Sequence, residues 1–147
     1  MERMSGGCQC GRIRFTAEVE PGDAYACHCS MCRKATGGPW AALVNVAMDS
    51  IAWQGKPDWH QSSAIAHRAF CSHCGSPLGF AYLEDMSRID LTIGSFDDPA
   101  RFTPSRNYAV EGMLPAWTDL SHLPNQRSDE NPDVVRRWRE AGVEPAR

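Results

Sequence analysis

The chain has 147 residues, a net charge of −3, and 42% hydrophobic against 22% charged residues. That length suits one domain, able to bury roughly 70% of the surface its unfolded chain would expose. No apolar run approaches the ~20 residues of a membrane span. The acidic balance argues against nucleic-acid or anionic-membrane partners, and it deepens if the cysteines are thiolates. The one basic run, "RRWR" at 136–139, reads as a solvated helix face. The start, "MERMSGGCQC", has no apolar stretch after its charges. It is not a secretory signal, and a cytoplasmic protein is expected.

The N-terminal cysteine pair, in "GGCQCG", precedes the first predicted strand, "RIRFTAEV" (12–19). There Ile13, Phe15 and Ala17 alternate with Arg12, Arg14 and Thr16, the period-2 pattern of a half-buried strand. After the turn "PGD" comes "ACHCSMCRK" (26–34), with three cysteines in six positions. Strands are then predicted over "WAALVNV" (40–46), "IAW" (51–53), "AIAHRAF" (64–70), "LGFAY" (78–82), "RIDLTIG" (88–94) and "NYAV" (107–110). Turn signals such as "QGKPD" and "FDDPA" separate them. One helix is predicted near the C-terminus, with Asn131 as cap, Pro132 at the first helical position, and Val134, Val135 and Trp138 on one face. Residues 143–147 are expected to fray. The resulting fold class is mainly β with a short C-terminal helix, divided as a domain over 1–125 and a helix with tail over 126–147.

All seven cysteines fall in three groups: Cys8 and Cys10; Cys27, Cys29 and Cys32; Cys71 and Cys74. Seven is odd, so a pure disulfide framework leaves one over, and a Cys-x-Cys disulfide closes a strained ring. Thiolates in such clusters suit zinc, which takes sulfur ligands in a tetrahedron. In "CSHCG", the glycine lets the backbone fold back toward the sulfurs. Two pairings fit. Cys8 and Cys10 can join Cys71 and Cys74 in a closed site, leaving Cys27, Cys29 and Cys32 with one position open. Alternatively Cys29, Cys32, Cys71 and Cys74 form a zinc ribbon and strand the other three. The first is favoured, because three cysteines within six residues are already local to one another.

"GGCQCGRIRF", "ACHCSMCRKATGG" and "FCSHCGSPLGF" together resemble the glutathione-dependent formaldehyde-activating enzyme family, whose domain is shared with centromere protein V. "NYAVEGMLPAWTDL" resembles the segment near the end of that domain, and the resemblance runs from about Gly6 to about Pro124. It implies a zinc-stapled β-tent fold with two zinc ions per chain. A structural ion would sit on Cys8, Cys10, Cys71 and Cys74, and an open, catalytic one on Cys27, Cys29 and Cys32. Two positions depart from the family: Asn107 stands where many members have histidine, and Ser76 where they often have threonine.

The function expected is that of a zinc-dependent carbon–sulfur lyase acting on the adduct of a thiol, such as glutathione, with a small carbonyl compound such as formaldehyde. A zinc with three thiolates is a weak generator of hydroxide and is better suited to holding a thiol as thiolate. Arg33 and Lys34, next to the last ligand, are candidates for receiving substrate carboxylates. Trp117 is the aromatic expected near the site. His28, between two ligands, reads as structural. The alternative is a non-catalytic zinc module for protein interaction, with the second site closed by His67 or His73; His60 and His122 read as loop residues. A redox role for the closely spaced thiols is a third reading.

Overall fold

The computed structural model describes residues 1–144; of the tail expected to fray, residues 145–147 lie outside the described residues. The contacts divide the chain into two units, Met1–Leu114 and Pro115–Arg147. As the sequence pattern predicts, the protein is mainly β with a short C-terminal helix. No helix is long and apolar enough to cross a membrane.

The first unit contains ten strands and one helix: β1 (Glu2–Gly7), β2 (Arg14–Val19), β3 (Ala24–Cys27), α1 (Ser30–Thr36), β4 (Ala41–Ala47), β5 (Ala52–Gln54), β6 (Asp58–Gln61), β7 (Ala66–Phe70), β8 (Pro77–Tyr82), β9 (Arg88–Thr92) and β10 (Pro104–Tyr108). They form a three-stranded sheet, β1-β2-β5, and a seven-stranded sheet, β10-β3-β4-β9-β8-β7-β6. All pairs are antiparallel except β10 with β3. The predicted strands all appear, shortened or shifted at their ends. Val110 falls in a 3₁₀ turn instead of the last strand, because Ala109 adopts a left-handed backbone (φ 55°) that ends the extended run.

The main core lies where the two sheets meet. Alternation on β2 delivers Phe15, Ala17 and Val19 to it, with Ile13 just ahead of the strand. The larger sheet supplies Val44, Val46, Ala69, Leu78, Ala81, Ile89 and Leu91. Phe15 packs edge-on against Trp53 and Phe96, with ring centroids 5.4 and 5.1 Å away. A bulge between Ala69 and Phe70 shifts the β7–β8 register, so that Leu78 and Ala81, three positions apart, both reach the core.

The opposite face of the larger sheet is not a plain polar surface. Asp90 of β9 is buried, although alternation with Ile89 and Leu91 places it on the expected water side. Its Oδ1 accepts from the Tyr25 hydroxyl (2.9 Å) and the Asn45 amide (3.0 Å). Burial holds its carboxyl above the usual range, against the pull of these donors.

In the second unit, the helix α2 (Pro132–Ala141) is built as its sequence dictates. Asn131 Oδ1 accepts from the Asp133 and Val134 amides, and Gly142 closes the end in a left-handed conformation.

An electrostatic latch also ties the two sheets together. Arg12, at the foot of β2, pairs with Asp58 of β6, whose Oδ2 also accepts from Ser72 N at 2.9 Å. Two predictions follow from this architecture. Leu78 is fully buried, so Leu78→Ala should destabilise the first unit by about 2–5 kcal/mol in urea unfolding; a change under about 1 kcal/mol contradicts the packing described. The Ser72 amide and hydroxyl, and then Arg12, hold the Asp58 carboxyl below its usual value of 3.8. A depressed carboxyl gives stability that is present above the unfolded pKa and lost as pH falls through the folded one. The stability gap between the native protein and Asp58→Asn should therefore be full near neutrality and close below about pH 4. A pH-independent gap would rule the latch out.

Candidate metal centres

Two turns bring the first cysteine group together. The turn before β2 carries Cys8 and Cys10, and the turn between β7 and β8 carries Cys71 and Cys74. Each ends in a glycine with positive φ, Gly11 (79°) and Gly75 (81°). In each, the glycine N–H closes the loop onto the first cysteine's carbonyl: Gly11 to Cys8 at 3.1 Å and Gly75 to Cys71 at 2.7 Å. A side chain at either φ is strained, which is why both knuckles read Cys-Gly.

The four sulfurs lie within 4.8 Å of one another, with Cys8 to Cys10 at 3.5 Å and Cys10 to Cys71 at 3.8 Å. Four sulfurs at tetrahedral Zn–S distance stand about 3.8 Å apart, so this donor set fits such an ion. Hydrogen-bond donors reach three of these sulfurs. Ile13 N points at Cys8 Sγ (3.3 Å) and Arg12 Nε at Cys71 Sγ (3.5 Å). Ser76 Oγ accepts from Gln9 N at 3.0 Å and lies 3.2 Å from Cys74 Sγ, to which its hydroxyl proton is free to donate. That hydroxyl and the local backbone amides hold the Cys74 thiol down to about 5.

The second group is Cys27, Cys29 and Cys32, whose sulfurs also lie within 4.8 Å of one another. Cys27 ends β3, and Cys29 and Cys32 bracket the start of α1. Cys29 is the N-cap of that helix, its Sγ accepting from Cys32 N at 3.2 Å. The helix was not predicted: it is seven residues long, and its cap is a cysteine where serine, threonine, aspartate or asparagine is the usual signal. Burial pushes the Cys27 thiol up to about 12. At Cys29 burial also pushes upward, but the amide of Cys32 and the neighbouring thiols hold this thiol below its usual range. Among the described residues no histidine, aspartate or glutamate joins this group.

His67 stacks on Trp59 (centroids 4.1 Å apart), with Nε2 at 2.9 Å from Met86 Sδ. It is thus engaged away from the three cysteines. His28 is buried, with Nε2 2.9 Å from Asn107 Oδ1. Asn107 therefore serves as the partner of this histidine and holds it from β10. His60 lies on β6, not in a loop. Arg33 is half-buried, with Nε lacking a partner, and Lys34 is exposed; both lie toward the end of α1. Trp117 lies in the second unit, on a 3₁₀ turn, and is half-exposed.

The residue that sequence reading passed over is Arg68. Its Nη2 donates to Cys32 Sγ at 3.5 Å, and its guanidinium lies 5.1 Å from the centre of the Phe80 ring. Arg68 lines a cleft of about 260 Å³ between α1 and the sheet, with Thr36, Leu43, His60, Phe70 and Thr92 among its walls. The signal available in the sequence was its position. It alternates with Ala69, placing it on the same face as Asp90.

Comparison with known proteins follows the same cysteine geometry. Residues 3–111 match the model of the glutathione-dependent formaldehyde-activating enzyme family. A Halomonas elongata protein provisionally named as such an enzyme is 33% identical over 135 residues, 84% of this chain and 85% of that one. An uncharacterized lyase of Schizosaccharomyces pombe is 33% identical over 82 residues, 56% of this chain; the match spans 60% of that protein's length. A crystal structure of a Rhodobacter sphaeroides protein superposes with a TM-score of 0.54 at 22% identity, over 64% of this chain and 88% of that one. At that identity the likeness is one of fold. With its family model spanning most of the first unit and both cysteine groups, the chain belongs to the glutathione-dependent formaldehyde-activating enzyme family.

Proposed function

We propose that the protein is a zinc-dependent carbon–sulfur lyase acting on the adduct of a thiol, of the glutathione type, with a small carbonyl compound. One observation carries the reading. Cys27, Cys29 and Cys32 converge on one point, and no fourth protein donor joins them among the described residues. The other group is complete with four sulfurs and ties two distant turns together, which suits a structural ion. The family of the chain and the lyase name of one relative support the same class of chemistry.

A zinc ion on Cys27, Cys29 and Cys32 would supply a place for the thiol sulfur and lower its pKa. The chain's own groups do the rest. In the cleaving direction the adduct's carbon–sulfur bond breaks, its hydroxyl gives up a proton, and thiol and carbonyl compound part. Arg68 offsets part of the negative charge gathered on the three thiolates through its contact with Cys32. Leu43 and Phe70 give the adjoining cleft an apolar wall. His28, fixed by Asn107 and buried between two ligands, locks the loop that presents them. A cytoplasmic setting, where small thiols stay reduced, fits this chemistry.

Metal stoichiometry tests the reading directly. Protein purified without added zinc should carry two zinc ions per chain, and Cys29→Ser should carry one with the unfolding transition retained. Glutathione added to cobalt-loaded native protein should alter the thiolate-to-cobalt absorption, and should not alter it in Cys29→Ser. A single zinc in the native protein, or global unfolding of Cys29→Ser, would place Cys29 in the structural staple and remove the basis for an open site.

A further inference from the structure

Each cysteine group has one arginine donating to a sulfur, but the two arginines differ in what meets their charge. Arg12 reaches Cys71 Sγ at 3.5 Å, and its positive charge is paired with Asp58. Arg68 reaches Cys32 Sγ at the same distance, and among the described residues no carboxylate pairs with it. A guanidinium carries five N–H donors. The contact with Cys32 uses one Nη, and the ring of Phe80 backs the plane of the group without consuming a donor.

The cleft that Arg68 lines makes this asymmetry informative. None of its lining residues is acidic; beside Arg68 they are apolar or small, with Thr36, Thr92 and His60 as the other polar members. A cation held half-buried beside apolar walls is costly unless an anion meets it. Cys32 supplies a partner at one Nη of the guanidinium. The same residue, Arg68, lines a cavity of about 260 Å³, with room for a small ligand. A planar fork with free donors matches a carboxylate.

We propose that Arg68 is the anion anchor of this site: it binds a carboxylate of the thiol ligand in the cleft and so aims the ligand's sulfur at Cys27, Cys29 and Cys32. The ligand class this selects is a thiol with a carboxylate a few bonds from its sulfur, in preference to a neutral thiol. The inference rests on the reading of the three-cysteine group as a thiol-holding centre. Arg33 and Lys34 do not line the cleft, so the anchoring role falls to a residue more than thirty positions later in the chain.

The test uses the full chain loaded with cobalt, titrated with mercaptopropionate and with its neutral amide. Thiolate-to-cobalt absorption serves as the readout, independent of turnover. The acid should bind about tenfold or more tightly than the amide, the size of one charge-assisted pair. That preference should vanish in Arg68→Gln and partly return in Arg68→Lys, while the amide's affinity stays within about threefold throughout. Equal binding of acid and amide by the native protein overturns the anchor and leaves the thiol-holding centre standing. A preference that survives in Arg68→Gln overturns it as well. If neither thiol alters the absorption, the thiol-holding reading fails and the anchor falls with it. Should Arg68→Gln lose cobalt from the second group, the acid-against-amide comparison in the native protein still decides.

Discussion

Four sulfurs from two distant turns meet at one point, and the geometry of the first unit depends on that meeting. Cys8 and Cys10 come from the turn joining β1 and β2 of the three-stranded sheet, and Cys71 and Cys74 from a turn near one edge of the seven-stranded one. A thiolate cluster without an ion is a concentration of like charge or of poorly satisfied thiols; with an ion it becomes a cross-link over roughly sixty residues of chain. Phe15, Ile13 and Leu78 pack just inside it. The polar dressing of the cluster is local and complete: backbone amides, the Ser76 hydroxyl and the Arg12–Asp58 pair. Four sulfurs so placed could hold a metal ion.

The three-cysteine group is dressed differently. Its sulfurs receive backbone amides and one guanidinium, and among the described residues no carboxylate pairs with that guanidinium as Asp58 does with Arg12. The fold thus contains an internal control. Two clusters of one ligand type share one sheet system, one enclosed by its own ion pair and one left facing a cleft. The difference lies in the second shell, where a metal site's character is tuned as much as by its ligands.

How much of this was legible varies with the physics behind each feature. The cysteine groupings could be read because ligand spacing is a local property, and the C-terminal helix could be read because Asn131 and Pro132 are local start signals. Strand β2 declared itself by alternation. Strand β6, "DWHQ", shows no such alternation, because as an exposed edge it buries little. The helix α1 was hidden by its unusual cap. Arg68 and Asp90 did not stand out, because alternation says only which residues share a face, not what covers it. That information resides in the cross-strand register, which brings His60, Arg68, Phe80, Asp90 and Asn45 into one row.

The single parallel pair in the sheet sets an order of assembly. Strand β3, which ends in Cys27, has β4 on one side as a near neighbour in sequence, but its other side is covered by β10, some eighty residues later. The main-chain amide of His28 is then tied to the carbonyl of Tyr108. During synthesis, therefore, the antiparallel neighbours can pair while the cysteine loop still hangs from an open sheet edge. Only after residue 108 has emerged does β10 close that edge and clamp the loop, and with it the three thiols, into a fixed arrangement. Within the first unit, the three-cysteine loop is thus among the last parts to become rigid.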